Sequence, residues 1–167
     1  MVPLAGAVKM PPVIRRISAI ETRPLRQAVL RPHQRVEELV YPGDDAVETA
    51  HFGAFLDGEL IGIASVYHEP PHGEANEGAW RLRGMAVVPQ LHRKGIGSLL
   101  LCACIDHARQ HGGTTMWFNA RTPAVPFYQA HDFRVRGEEF MLPDIGPHYF
   151  MWSEIGSRCA GHRAPQL

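Results

Sequence analysis

The length, composition and charge of the chain exclude several classes of protein. Its 167 residues, 45% of them hydrophobic, suffice for one domain with a single core but are too few for two separate cores. Lysine plus arginine and aspartate plus glutamate number 17 each. The formal net charge is therefore zero, and no overall positive charge attracts nucleic acid or an anionic membrane. Neither is an expected partner.

The three cysteines form neither a disulfide pattern nor a metal site. Cys102 and Cys104 lie two residues apart on a predicted helix, so their side chains point to different faces. No metal is expected. The cysteines are expected to be reduced, and the first residues lack a secretory signal pattern. The longest apolar run, Leu99 to Ile105, is too short to span a membrane. These features favour a cytoplasmic location.

Alternation and helical periodicity predict one α/β domain, residues 13–155, between irregular tails at residues 1–12 and 156–167. The predicted strands are residues 13–20, a hairpin over residues 51–69 with a short Asp57-Gly58 turn, and residues 79–88, 114–120, 133–142 and 147–154. The predicted helices are residues 23–31, 95–111 and 124–131. Two helices that cross between central strands indicate a mixed sheet with helices on both faces.

The stretch "HRKGIGS", residues 92–98, joins a predicted strand to the long helix. A P-loop requires its lysine after the glycines, whereas Lys94 precedes them, which disfavours a nucleotide-dependent kinase. A dinucleotide loop requires a third glycine at position 100, which is leucine. Two interpretations remain: a pyrophosphate seat made of helix N-terminal amides with Arg93 and Lys94, or a solvated helix start without a ligand.

Two motifs in this order resemble signatures of the GNAT superfamily of acetyl-CoA-dependent N-acyltransferases. The anion-binding signature Arg/Gln-x-x-Gly-x-Gly/Ala corresponds to residues 92–97, and Ala-x-x-Phe-Tyr-x-x-x-Gly-Phe corresponds to residues 124–133. His92 departs from the first signature, and Asp132 replaces a glycine for which a left-handed backbone is expected. The segments "RPLRQAVLR", "GEEF" and "IGPHY" resemble a bacterial subgroup whose substrates are mostly unassigned.

The resemblance implies a mixed, mainly antiparallel sheet whose central strands splay apart to admit acetyl-CoA. It assigns cofactor contacts to Met85, Val87, Arg93, Lys94, Gly95, Ile96, Gly97, Ser98 and Asn119. For Asn119 the alternative is to cap the turn before Thr122. The two helix cysteines are expected to pack in the core rather than to act as nucleophiles.

Tyr128 is the catalytic residue that the resemblance implies, as the acid that protonates the departing coenzyme thiolate. A tyrosine stays protonated at neutral pH and can donate one directed hydrogen bond, although packing beside Phe127 is the alternative role. The general base stays open among several side chains: Glu69, Glu77, His68, Glu138, Glu139 and His148. Of these, His148 lies in the subgroup segment and is also a candidate acceptor-binding residue.

Strand alternation places Arg81, Arg83 and Met85 on one face of the central strand. Because an unpaired buried charge is very costly, Arg83 requires an anion. That anion is either a carboxylate or phosphate of the acceptor or an internal partner among Glu37, Glu38 and Glu139.

The sequence therefore predicts an enzyme that moves an acetyl group from acetyl-CoA to a primary amine of a small metabolite, amino acid or peptide by direct attack. The alternative is a non-catalytic coenzyme A-binding or sensing module of the same fold, which the substitution at His92 supports. An amine acceptor is the expected partner, and a homodimer stays open.

Overall fold

A twisted sheet of eight strands forms the centre of the protein. The computed structural model describes residues 10–156; most of the two predicted tails, and with them Cys159, lie outside the described residues. The strands are β1 (Val13–Ile17), β2 (Ala50–Leu56), β3 (Glu59–Tyr67), β4 (Ala79–Val87), β5 (Thr115–Arg121), β6 (Arg134–Val135), β7 (Phe140–Leu142) and β8 (Gly146–Glu154). The helices are α1 (Ala19–Leu25), α2 (Ile96–Gln110) and α3 (Val125–Gln129).

The strand order is β1-β2-β3-β4-β5-β8-β6, and β7 also pairs with β8. Strands β4 and β5 are parallel, because α2 carries the chain from the end of one to the start of the other. The other pairings in the described chain are antiparallel. The prediction of a mixed, mainly antiparallel sheet is confirmed.

The turn between β2 and β3 is the predicted Asp57-Gly58 pair. Both residues have positive φ, 51° at Asp57 and 80° at Gly58. A two-residue hairpin turn with this twist requires such values, and aspartate and glycine adopt them readily.

Helix α1 begins earlier than predicted, at Ala19, because a capping box fixes its first turn. The Glu21 amide donates to the Ser18 hydroxyl at 3.2 Å, and the Ser18 amide donates to the Glu21 carboxylate at 2.9 Å. The helix continues through Leu25 into a π-helical turn, Arg26–Leu30. This turn lies against β4 and forms one wall of the site described below.

A bulge at Gly84 changes which side chains of β4 face which layer. Gly84 has φ +66°, and the pairing of β3 with β4 is irregular at the same level. Before the bulge, Leu82 packs on the α2 face; after it, Met85 does so, and Ala86 packs on the α1 face. The predicted regular alternation, with Met85 on the face of Arg83, is wrong for this reason.

The predicted strand over residues 133–142 is also wrong as a single strand. It is divided into β6 and β7, which both pair with β8. Gly137, at φ +85°, interrupts the extended backbone between them.

Two hydrophobic layers cover the sheet. The larger one packs α2 and α3 on one face around Trp80, Leu100, Leu101 and Ile105, all nearly inaccessible to solvent. The smaller one packs α1 and the π-helical turn on the other face, around Ile63. An opening between two neighbouring strands is therefore bordered by the α2 and α3 layer on one face and by the α1 layer on the other.

Candidate active site

The site lies where β4 and β5 separate. The two strands pair only at Ala79–Thr115, Trp80–Met116 and Arg81–Trp117. Beyond that point β4 keeps its pairing with β3 but has no partner on its other side in the described part of the chain. Alternate backbone groups of β4 therefore face the gap. A cavity of about 180 Å³ occupies the gap.

The cavity is bounded from both faces of the sheet. On the α2 side its wall includes Met85, Phe118 and Tyr128, which belong to or pack against the larger hydrophobic layer. On the α1 side its wall includes Arg83 and His148. Two reactants can therefore meet inside the sheet from opposite faces.

The loop before α2 presents a row of backbone amides. Arg93 and Gly95 have φ of 63° and 81°, and the first amide that bonds to a helical carbonyl is that of Leu99, to Gly95 at 3.2 Å. The amides of residues 93–98 have no hydrogen-bond partner in the described part of the chain. Such an arrangement at a helix N-terminus binds anions.

The two glycines of this loop have different roles. A Cβ atom at Gly95 would meet nothing within 4 Å, so one side of the loop is open to a ligand. A Cβ atom at Gly97 would lie 3.3 Å from the Phe127 ring and 3.9 Å from Met85. Gly97 therefore allows α3 to pack closely on α2, whereas Gly95 allows the left-handed turn and an approaching anion.

His92, which departs from the family signature, ties the loop to the sheet. Its Nε2 atom lies 2.8 Å from the carbonyl oxygen of Val87 at the end of β4. In the helix that follows, the Ser98 hydroxyl lies 2.9 Å from His131 Nε2, next to α3. These contacts connect the loop both to the strand and to the helix that carries Tyr128.

Tyr128 lines the cavity, and its ring is packed against other aromatic rings. The ring contacts Phe118 at 4.3 Å and Phe127 at 5.0 Å between centroids, so the packing alternative is correct for the ring. The hydroxyl makes no hydrogen bond within residues 10–156. Burial raises the pKa of Tyr128, which keeps its proton in place at neutral pH.

The turn after α3 holds Tyr128 in position. Asp132 has φ 65°, as expected for the glycine position that it occupies. The Phe133 amide donates to the Tyr128 carbonyl at 3.1 Å and closes the turn. The substitution of glycine by aspartate therefore leaves the second signature structurally intact.

His148 is buried, with 4% of its surface exposed, on the opposite side of the cavity from Tyr128. Its ring stacks on Phe140, and its Nδ1 atom lies 2.8 Å from the carbonyl oxygen of Gly146. Its strand neighbour is Arg121 of β5. Two contacts thus fix the ring while it borders the cavity.

Comparisons with known proteins identify the family of the chain. The family model described as "Acetyltransferase (GNAT) family" matches residues 15–133. The uncharacterized N-acetyltransferase YitI of Bacillus subtilis (strain 168) is 33% identical over 142 residues, which cover 85% of this chain and 95% of YitI. The chain belongs to the GNAT family of acetyltransferases. It is therefore an acetyltransferase enzyme.

Solved GNAT structures share the fold. The ribosomal-protein-S18-alanine N-acetyltransferase of Escherichia coli superposes with a TM-score of 0.68 over 92% of this chain and 98% of that chain, at 17% identity. A Bacillus subtilis acetyltransferase in complex with CoA superposes with a TM-score of 0.62 over 86% and 98%, at 16% identity. At this level of identity the likeness extends to the fold alone.

In this GNAT protein, the residues predicted for the site fall into two groups. Five of them line one cavity: Arg83, Met85, Asn119, Tyr128 and His148. The others belong to the loop before α2 and to its first turn: Arg93, Lys94, Gly95, Ile96, Gly97 and Ser98. Val87 ends β4, and its carbonyl contacts His92 of the same loop. Ile96 is itself buried in the core, so its backbone rather than its side chain faces the loop.

The other proposed bases do not line the cavity. Glu69 lies 3.5 Å from Arg81, and His68 pairs with Glu48. Glu139 accepts a hydrogen bond from the Thr122 hydroxyl at 2.8 Å. Of the candidates, the cavity wall retains only His148.

Sequence reasoning missed a buried ion pair under the site. Arg26, in the π-helical turn, is fully buried and donates to both carboxylate oxygens of Asp44, at 2.7 and 3.0 Å. The Tyr67 hydroxyl also donates to Asp44. Burial alone would raise the pKa of Asp44, but the hydrogen bonds from Arg26 and Tyr67 outweigh it and lower that pKa.

The two cysteines of α2 are buried. Cys104 lies in the core, and burial raises the pKa of its thiol. Among the described residues no group of three or more His, Cys, Asp or Glu could hold a metal ion. No helix between residues 10 and 156 has the length and apolar character needed to cross a membrane.

Proposed function

We propose that the protein transfers an acetyl group from acetyl-CoA to a primary amine by direct attack. The observation that carries the proposal is the cavity at the separation of β4 and β5, with a hydrogen-bond donor on one side and a histidine on the other. The donor is Tyr128 and the histidine is His148. No cysteine nucleophile is needed, because the amine can attack the thioester itself.

The start of α2 and the free edge of β4 suit the long donor molecule. The unpartnered amides of residues 93–98, with the charges of Arg93 and Lys94, suit a pyrophosphate. The unpaired backbone groups around Met85 and Val87, together with the Asn119 side chain, suit the amides of a pantetheine arm. When bound, acetyl-CoA supplies the thioester carbonyl that is attacked.

His148 has the correct tautomer for a general base. A carbonyl oxygen only accepts hydrogen bonds, so the contact with Gly146 assigns the proton to Nδ1. The neutral ring then has an unprotonated Nε2 atom that can take a proton from the attacking amine.

Tyr128 completes the proton balance. The new bond joins the amine nitrogen to the carbonyl carbon, and the bond that breaks joins that carbon to sulfur. The Tyr128 hydroxyl, kept protonated by burial, donates its proton to the departing thiolate and recovers a proton from solvent. His148 releases the proton of the amine to solvent after the acetylated product leaves.

The test is a thiol-release assay of the purified protein with acetyl-CoA and a broad panel of primary amines. We expect release of coenzyme A that depends on an amine, together with a mass increase of the amine by one acetyl group. Binding of acetyl-CoA in calorimetry, without acetyl transfer to any amine of the panel, would contradict the proposal.

A further inference from the structure

Four arginines line the cavity, and no aspartate or glutamate among residues 10–156 does. They are Arg31, Arg81, Arg83 and Arg121. Arg81 has a partial partner in Glu69, at 3.5 Å. A concave site with several guanidinium groups and no acid attracts anions.

Arg83 has no carboxylate within 4 Å among the described residues. Its guanidinium lies instead over the ring of Tyr41, 4.3 Å from the centroid. Of the internal partners considered from the sequence, Glu38 pairs with Arg35 and Glu139 accepts a hydrogen bond from Thr122. Glu37 forms no ion pair with Arg83 within residues 10–156. Burial, and then the nearby charge of Arg81, lower the pKa of Arg83, which means that its charge lacks full compensation.

Arg121 is in a similar position on the neighbouring strand. Its guanidinium donates to the backbone carbonyl of Leu30 at 2.7 Å, and no ion pair to it is found within residues 10–156. Burial and then the charge of Arg31 lower its pKa. Two neighbouring strands therefore each direct an incompletely compensated arginine to one cavity.

The layer beneath Arg83 holds it rigidly. The Tyr41 ring lies between Arg83 and Arg26, at 4.3 and 4.0 Å from the two guanidinium carbons. The Tyr41 amide donates to the Asp44 carboxylate at 2.9 Å, and Arg26 binds the same carboxylate. The absence of a side chain at Gly84 leaves room for this ring, because a Cβ atom there would lie 3.3 Å from it. Such a supported arginine recognises an anion at little entropic cost.

We propose that the acceptor is an amine that also carries an anionic group, a carboxylate or a phosphate, which Arg83 and Arg121 bind while the amine faces His148. This proposal rests on the acetyl transfer proposed above. The positive field of the arginines would also lower the pKa of the bound amine and favour its neutral, nucleophilic form. Purely cationic amines, such as polyamines, are poor acceptors because the same field repels them.

The test uses matched acceptors with and without the anionic group. Amino acids are compared with their carboxamides, and phosphoethanolamine is compared with ethanolamine, in the thiol-release assay at saturating acetyl-CoA. In at least one of the two kinds of pair, we expect kcat/KM for the anionic acceptor to be about 10- to 100-fold higher than for its partner without the anion. This is the usual effect of a charge-assisted hydrogen bond. The two pair types also distinguish carboxylate from phosphate.

Arg83→Met should abolish that preference, and Arg83→Lys should keep part of it, because lysine retains the charge but not the planar fork. Arg134→Met is the matched control, since Arg134 also lies 4.3 Å from an aromatic centroid, that of Trp152, but away from the cavity. Thermal unfolding and acetyl-CoA affinity of each variant show whether it is folded.

A second readout does not depend on turnover. Inorganic phosphate and acetate are titrated by calorimetry into protein saturated with coenzyme A, so that the amide loop is occupied. Weaker binding of either anion to Arg83→Met than to Arg134→Met supports the anion site. Two results would overturn the anion site. One is that the unmodified protein uses the acceptors without the anion equally well or better; the other is that Arg83→Met binds the anions unchanged. Either result would leave the proposed acetyl transfer intact.

Discussion

The Nδ1 atom of His148 lies 2.8 Å from the carbonyl oxygen of Gly146, within the same strand. This short contact is local, but it determines which ring nitrogen faces the cavity without a proton. Removing Nε2 while keeping the Nδ1 contact therefore tests the base directly.

His148→Asn makes that change, because the asparagine amide nitrogen can occupy the place of Nδ1 and still donate to Gly146. We expect kcat to fall about 10²- to 10⁴-fold, the usual contribution of a general base, with little change in acetyl-CoA affinity. His72→Asn, at an exposed position, is the control. Full turnover in His148→Asn would remove the histidine from the mechanism.

Tyr128→Phe tests the acid. The ring packing against Phe118 and Phe133 is retained in this variant, so its stability should change little. We expect kcat to fall about 10²-fold or more while acetyl-CoA binding is unchanged, because the departing thiolate loses its proton donor. Tyr149→Phe, on the neighbouring strand β8, should leave turnover unchanged. Equal turnover of both variants would exclude Tyr128 as the acid.

Arg93→Gly separates side-chain charge from backbone geometry in the anion loop. Arg93 has φ 63°, a conformation that glycine adopts without strain. We expect acetyl-CoA affinity to fall about two- to fivefold at low ionic strength, as for an exposed ion pair, and less at high ionic strength. Arg93→Ala should lose the same affinity but be less stable than Arg93→Gly. Unchanged affinity in both variants would show that the amides suffice.

The parts of the molecule that could be predicted from the sequence depend on local chemistry. The Asp57-Gly58 turn, the helix start at Gly95 and the left-handed Asp132 each follow from the backbone preferences of one or two residues. The placement of Tyr128 follows from a motif that spans ten residues. These features require no knowledge of distant contacts.

The parts that could not be predicted depend on contacts between distant residues. Arg26 lies in a polar-looking helical segment, and nothing near it in sequence indicates that Asp44 and Tyr67, 18 and 41 positions away, form its buried partners. The bulge at Gly84 did have a signal, an isolated glycine within a strand, which strict alternation ignores. The separation of β6 from β7 has a similar signal in Gly137.

Asp44→Asn should reveal how much of the fold the buried ion pair carries. Arg26 would remain charged and fully buried without its carboxylate, so we expect the free energy of unfolding to fall by about 3–5 kcal/mol in urea denaturation. Adding Arg26→Met should restore part of the loss. In the exposed pair of Arg35 with Glu38, Glu38→Gln should have no measurable effect. A loss in Asp44→Asn no larger than in Glu38→Gln would contradict this account.

Stability should depend on pH because folding lowers the pKa of two histidines and raises the pKa of a third. Burial lowers the pKa of His107, and burial also lowers the pKa of His51. The unfolded chain binds protons at these residues below about pH 6.5, where the folded chain does not. Stability should therefore fall as pH decreases from about 6.5 toward the lowered folded-state pKa values.

His68 acts in the opposite direction. Hydrogen bonds to the Glu77 carbonyl and to the Glu48 carboxylate raise its pKa, so its stabilisation is complete below about pH 6.5 and is lost as pH rises through the raised value. In urea unfolding between about pH 5 and pH 8, His107→Gln should reduce the loss of stability on acidification. His68→Gln should reduce the loss on the alkaline side, and the exposed His33→Gln should change neither. The same pH profile in His107→Gln and His68→Gln would be inconsistent with these assignments, because linkage requires the two variants to change opposite limbs.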